Sequence, residues 1–385
     1  MKTKDKLTII HNIISPYRIF FFSLLNSKLK KKNISLHVHF MAKIHYDRPK
    51  SWIRSKINFS HDFSLDLGFG KFHFNPILIL KLILFDKSKY LLSGTTWDSL
   101  NAFFIAFFTK FKIKILWIEG NHSNPGIMNG VIGFLKRLII RQYNMIAVPG
   151  EKGKKYILLH HKRDKNLNPE LIFLPNIVDE RIFKPINKIR QKTINEIKNN
   201  LKILPKEKVA LCVARLEKVK GLFEFINNLD QNILNNWKLL IVGTGSQKKG
   251  LVRIINAKKL DDHIKIINDI EYKNMNNIYV ASDLFVLPSL YDPNPLSVVE
   301  ALHSGLPLFI SCKCGNSYEA ISNNRNGIIF DPLNSKDTKS KMKIIFNKNK
   351  KQLKAMGRLS KKIANKNWNS KKVVDNFINK IIQFA

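Results

Sequence analysis

The chain has 385 residues, 44% of them apolar, which suits two or three ordinary packed domains and excludes a disordered chain. Three cysteines exclude a disulfide-framed secreted scaffold. Lys and Arg number 66 against 28 Asp and Glu, a net charge of +38, so the partners to weigh are polyanions: nucleic acid, anionic lipid or phosphorylated small molecules. The bases are spread along a chain rich in Lys, Ile and Asn. The densest groups are Lys28, Lys30, Lys31 and Lys32, then Lys152, Lys154 and Lys155, then Lys348, Lys350 and Lys351. No zinc-finger spacing, RNP-like aromatic box or KH-like loop accompanies them, so nucleic acid is not an expected partner.

In chain order, the first 25 residues superficially look like a signal peptide. His11, Asn12, Pro16 and Arg18 interrupt the apolar run, however, and a first buried strand followed by a turn is expected. The apolar stretches 76–85 and 102–108 fall short of the ~20 residues that a spanning helix needs. Strands are expected at 7–11, 35–40, 90–93, 113–119, 145–149 and 171–175. A second series is expected at 209–214, 237–242, 264–267, 284–288, 308–311 and 328–330. These runs lack polar alternation, as strands buried on both faces of a parallel sheet do. Helical segments separate them, among them an amphipathic helix over 131–144 and another over 370–384. The expected fold class is therefore α/β, with two doubly wound Rossmann-like domains facing across a cleft. The boundaries expected are 1–185 for the first domain, 186–368 for the second, and 369–385 for a C-terminal helix crossing back to the first. Cys212, Cys312 and Cys314 are too few and wrongly spaced for structural zinc, so a reducing, cytoplasmic setting is the default.

In open parallel sheets, ligands bind beyond the carboxyl ends of the strands, and in the second series those positions carry chemistry. Arg215 and Lys220 bracket the loop after 209–214, where two cations can neutralise a diphosphate; in a Lys-rich chain they equally fit two solvated bases. Gly243 and Gly245 follow the next strand and fit either a close ligand approach or a tight turn. After 284–288 come Asp292 in a loop, Pro295 in the first turn of a helix, Leu296 and Ser297 with free N–H groups, and Glu300 one turn in. A helix start stabilises an anion, and a carboxylate at 300 can accept two hydrogen bonds from a ribose diol. The plainer reading makes Asp292 a turn residue and Glu300 a charge favourable to the helix dipole.

Together the segments VARLEKVKG, LLIVGTGSQKKGL, VASDLFVLPSLYDPNPLSVVEALHSGLPLFIS and NGIIFDP, in this order over roughly 171–335, resemble the family 4 retaining glycosyltransferases of GT-B architecture. The resemblance implies that Arg215 and Lys220 hold the donor diphosphate with the amides of Leu296 and Ser297. It implies that Asp292 takes the place of the first acid of the Glu-x7-Glu motif, on the donor sugar, and Glu300 the second, on the ribose. This chain has Pro293-Asn294-Pro295 where the family has Gly-aromatic-Gly, which removes backbone donors. The first half matches more loosely. Where the family places a catalytic His, this chain has Glu119, with His122 three residues on. Tyr17, Arg18, Thr95 and Trp97 would line the acceptor side.

The implied reaction is sugar transfer, with retained anomeric configuration, from a nucleoside-diphosphate sugar to a saccharide or lipid-linked acceptor, in cell-envelope polysaccharide synthesis. No metal and no cofactor are expected; no Asp-x-Asp element is present in the sequence. Two alternatives remain at this stage: a GT-B-like sugar-nucleotide epimerase, and a basic nucleic-acid-binding protein. The apolar and basic stretches at 20–25 with 28–32, and at 134–141, suggest a peripheral position on an anionic membrane surface.

Overall fold

The computed structural model describes residues 5–43, 56–68, 73–94, 100–119, 129–183, 188–268, 270–322 and 324–385. The chain divides into two compact units, Met1–Pro175 with Ser370–Ala385, and Asn176–Asn369. In the first unit the strands are β1 (Lys6–Ile13), β2 (Ser35–Ala42), β3 (Ser60–Phe63), β4 (Tyr90–Ser93), β5 (Ile113–Trp117), β6 (Met145–Val148) and β7 (Glu170–Phe173). They form one parallel sheet in the order β3-β2-β1-β4-β5-β6-β7. The second unit has β8 (Lys208–Val213), β9 (Trp237–Val242), β10 (Ile264–Ile267), β11 (Leu284–Leu287), β12 (Leu308–Ser311) and β13 (Gly327–Phe330). These lie in the order β10-β9-β8-β11-β12-β13, again parallel throughout.

The apolar runs become strands because helices cover both faces. Leu7, Ile9, Leu211, Leu239, Phe285 and Ile310 are all solvent-inaccessible, and each such burial contributes about 1.5–3 kcal/mol relative to exposure. β3 is the element the apolar runs do not announce. Its four residues, SHDF, pair only with β2 at the sheet edge and are half-buried or exposed, so no continuous apolar run marks it.

The units part after Pro175, ten residues ahead of the expected boundary at 185. Val178 and Phe183 are buried in the core of the second unit, Phe183 edge-on to Tyr279. The helix Ser370–Gln383 belongs to the first unit. Its Asp375 pairs with Lys28 at 2.6 Å, and its Lys380 pairs with Glu170 of β7 at 2.5 Å.

The expected membrane-facing stretch 20–25 is corrected here. Phe21, Phe22 and Leu25 of the helix Pro16–Lys30 are buried in the first unit's core. Exposed apolar side chains gather on three helices, the last of them carrying the expected stretch 134–141. These are Pro76–Leu84, Leu100–Phe108 and Gly130–Arg141, packed in series. No described helix is long and apolar enough to cross a membrane.

Candidate functional site

In the second unit the strand order reverses between β8 and β11. Open parallel sheets take their ligands beyond the carboxyl ends of the strands at such a switch point. Both loops singled out in the sequence leave this switch point.

The loop after β8 ends in the 3-10 turn Lys218–Lys220 and then Gly221, at φ +64°. A Cβ on Gly221 would stand 2.2 Å from the carbonyl oxygen of Pro288, so only glycine permits this approach. Leu290 and Tyr291 donate their N–H groups to the carbonyl of Val219 at 2.9 and 3.2 Å. The loop after β8 is thus sewn to the loop after β11. On its other side, Leu216 N–H donates to Thr244 at 2.8 Å, and Gln247 N–H returns a bond to Leu216 at 2.8 Å, fixing the glycine-containing turn after β9. The loop after β12 clamps the opposite side: Gly315 N–H donates to the Asp292 carbonyl at 2.7 Å, and Asp292 bridges to Cys314.

This lashing brings Lys220 and Asp292 together. Lys220 Nζ lies 2.5 Å from Asp292 Oδ2, with both side chains largely withdrawn from solvent. Beneath the loop, burial pushes the Cys212 thiol up to about 12, with the Lys220 charge opposing, so Cys212 is a packing group and not a nucleophile. Arg215 follows β8 and is half-buried.

The helix Leu296–Ser304 starts directly after this loop, with no side-chain cap. Pro295 occupies the N-cap position, one place earlier than expected, and its carbonyl accepts from Asn316 Nδ2 at 3.0 Å. Leu296 and Ser297 are the first two helical residues and are half-buried; amides in a first turn have no intrahelical acceptor. Asn294, immediately ahead, is 7% exposed, and neither atom of its amide has a hydrogen-bond partner. A buried amide left unpaired costs about 1–3 kcal/mol per group. Sequence reasoning treated Asn294 only as a departure from an aromatic. The signal was present: a fully polar side chain between two prolines at a helix start.

Glu300 lies in the second turn of this helix and is buried. Its Oε2 accepts from the Tyr279 hydroxyl at 2.6 Å. Burial pushes the Glu300 carboxyl up to about 7, the Tyr279 hydrogen bond opposing. Sequence reasoning missed Tyr279, because nothing in the spacing of the helix Tyr272–Val280 marks which hydroxyl reaches position 300.

In the first unit, Arg18 and Glu119 meet: Arg18 Nη2 donates to Glu119 Oε1 at 2.8 Å. The guanidinium lies 4.0 Å from the ring centroid of Trp117 and 5.2 Å from that of Tyr17, a cation–π arrangement that holds it. Arg18 is 4% exposed, so it is a buried support for the half-exposed Glu119 and not an open cation. His11, noted in the sequence only as a break in the first apolar run, is buried beside them. It stacks on Trp117, and its Nδ1 has no hydrogen-bond partner; burial, and then the Arg18 charge, lower its imidazole well below the usual range. Thr95, Trp97 and His122 lie outside the described residues.

Residues 193–363, the stretch holding Lys220, Asp292 and Glu300, match the family described as glycosyl transferases group 1. The chain is 26% identical over 213 residues to alpha-monoglucosyldiacylglycerol synthase of Acholeplasma laidlawii, covering 54% of this chain and 51% of that protein. It is 28% identical over 238 residues to UDP-Gal:alpha-D-GlcNAc-diphosphoundecaprenol alpha-1,3-galactosyltransferase of Escherichia coli, covering 56% and 58%. The chain spans about half the length of the curated relatives it matches. Among solved structures it is similar to Anabaena Alr3699/HepE in complex with UDP, with a TM-score of 0.77 at 14% identity, covering 98% of this chain and 100% of that one. The fold is that of GT-B glycosyltransferase structures: two Rossmann-like α/β domains with parallel sheets of seven and six strands.

Proposed function

We propose that this protein is a family 4 glycosyltransferase that takes its sugar from a nucleoside diphosphate, retains the anomeric configuration and needs no metal. The observation that carries the reading is the convergence at the β8/β11 switch point: Lys220 against Asp292, the uncapped helix start at Leu296, and the partnerless amide of Asn294. The hard step is breaking the bond between the anomeric carbon and the diphosphate oxygen, which leaves negative charge on the phosphates. Lys220, Arg215 and the N–H groups of Leu296 and Ser297 stabilise that charge as it develops, the part a divalent ion plays elsewhere. Asp292 and Asn294 hold hydroxyls of the donor sugar, and Glu300 accepts from the ribose diol. In the first unit Glu119, oriented by Arg18, serves the acceptor hydroxyl, with Tyr17 beside the Arg18 guanidinium.

The names of the two curated relatives, one a glycolipid synthase and one acting on a diphosphoundecaprenol, support a lipid-linked or envelope saccharide as acceptor. The first unit's exposed apolar side chains support a peripheral place on an anionic membrane. Leu84 and Phe85 are 63% and 74% exposed, and Val131 and Phe134 are 74% and 53% exposed. Lys136 and Arg137 lie on the same helix as the latter pair. Apolar insertion beside basic groups is the chemistry of attachment to anionic lipid.

The test is transfer from UDP-, GDP- and ADP-sugars to diphosphate-linked saccharides in the presence of EDTA, with the product's anomeric configuration read by NMR. An unchanged configuration is expected. An inverted linkage overturns the retaining reading. Epimerised donor in the absence of acceptor replaces it with a sugar-nucleotide epimerase.

A further inference from the structure

The sheet edge of the first unit carries a group of side chains that the sugar chemistry does not use. β2 and β3 pair in parallel with His37 opposite Ser60 and His39 opposite Asp62. Side chains two apart on a strand share a face, so all four point to one side of the sheet. His37, His39 and Asp62 each offer a donor atom within 4.8 Å of the others. His39 Nδ1 lies 2.5 Å from Asp62 Oδ1, and His37 Nε2 lies 3.5 Å from Asp62 Oδ2. Ser60 Oγ bonds His37 Nδ1 at 2.7 Å, which fixes the ring and turns its Nε2 toward the carboxylate, as an outer partner of a ligating imidazole does. His39 Nε2 is buried with no hydrogen-bond partner, so the ring's one polar contact points into the group.

We infer that His37, His39 and Asp62 form a binding site for a divalent transition-metal ion of the zinc class. Two imidazoles and one carboxylate suit such ions and not the hard, oxygen-seeking Mg²⁺ or Ca²⁺. The Lys81 ammonium, half-exposed, now sits 2.6 Å from Asp62 Oδ2. It is the cation the metal displaces, and its length and exposure let it swing into solvent. The ion ties the edge strand β3 to β2 across a pairing whose backbone bonds reach only four residues. This site is independent of the donor-binding reading, which involves no metal.

Equilibrium dialysis and calorimetry of the EDTA-stripped full chain against Zn²⁺ test it, with Co²⁺ as an absorption probe and Mg²⁺ as control. One Zn²⁺ per chain is expected, with a rise in Tm reversed by chelator and no effect of Mg²⁺. Ser60→Ala weakens binding by about 10-fold, the low end for an outer partner, and His37→Ala weakens it further. Lys81→Met, which alters only a half-exposed side chain, tightens it by removing the competing charge. Absence of stoichiometric Zn²⁺ overturns the inference. So does binding that neither His37→Ala nor Lys81→Met alters, which would locate the ion elsewhere, for instance at Cys312 and Cys314.

Discussion

At the scale of the residue, Glu300 is pulled two ways. Its site removes water from the carboxyl, while Tyr279 donates to it. With the folded carboxyl at about 7 against an ordinary value of 4.5, the folded chain keeps a proton that the unfolded chain loses. Stability from this group is therefore complete below about pH 4.5 and is lost as pH rises to about 7, by about 3 kcal/mol in all. Glu300→Gln, which can still accept from Tyr279, removes this slope. Its Tm should match wild type near pH 4.5 and exceed it increasingly toward pH 8, as followed by thermal melts across that range. Tyr279→Phe should cost about 1.5–3 kcal/mol above pH 7, where the bond is to a carboxylate, and less below it; urea titrations at pH 5 and pH 8 measure the difference. The proposed binding of a ribose diol by Glu300, through two accepted hydrogen bonds, needs the ionised form, so donor affinity should climb as pH passes through about 7. Lys220 and Asp292 could be singled out from the sequence because they follow strands at fixed points. The partner of Glu300 could not, since Tyr279 reaches it only through the packing of one helix on another.

At the scale of the element, the site is a set of loops held by each other. Gly221 is where that holding is tightest, at φ +64° with the Pro288 carbonyl 2.2 Å from any added Cβ. Gly221→Ala should cost more than the ~1 kcal/mol of a positive φ alone, because the loop must also back away from β11. Weaker donor binding should accompany the loss, since Lys220 immediately precedes it; denaturant titration and calorimetry on one sample read both. The sequence made this framework legible wherever strands are buried on both faces, because such strands are uninterrupted apolar runs. β3 stayed hidden for the opposite reason: Ser60, His61 and Asp62 are polar, and the strand exists through its pairing with β2. The seam was displaced for a related reason. Phe183 reads as a loop residue in the sequence, yet it is bound to the second unit by Tyr279.

At the scale of the whole molecule, the proposed attachment to an anionic surface draws on the charge of +38 and on the exposed apolar side chains of the first unit. Full-length protein should sediment with vesicles containing anionic lipid and not with neutral ones. Phe134→Glu together with Val131→Glu should weaken that binding at any salt concentration, whereas added salt weakens the basic contribution alone. Of the two stretches the sequence offered to such a surface, 134–141 exposes Phe134, whereas Phe21 and Phe22 were claimed by the core, because periodicity does not tell which apolar helix face the sheet will cover. The central claim concerns the β8/β11 switch point, and calorimetric titration of the full chain with UDP, GDP and ADP in EDTA tests it most directly. The account predicts one nucleotide bound per chain with Asn294→Ala and Lys220→Ala each weakening a donor sugar's binding, and Lys220→Ala reducing turnover by on the order of a hundredfold. Binding of none of the three, or equal binding and turnover by wild type and Lys220→Ala, would contradict it.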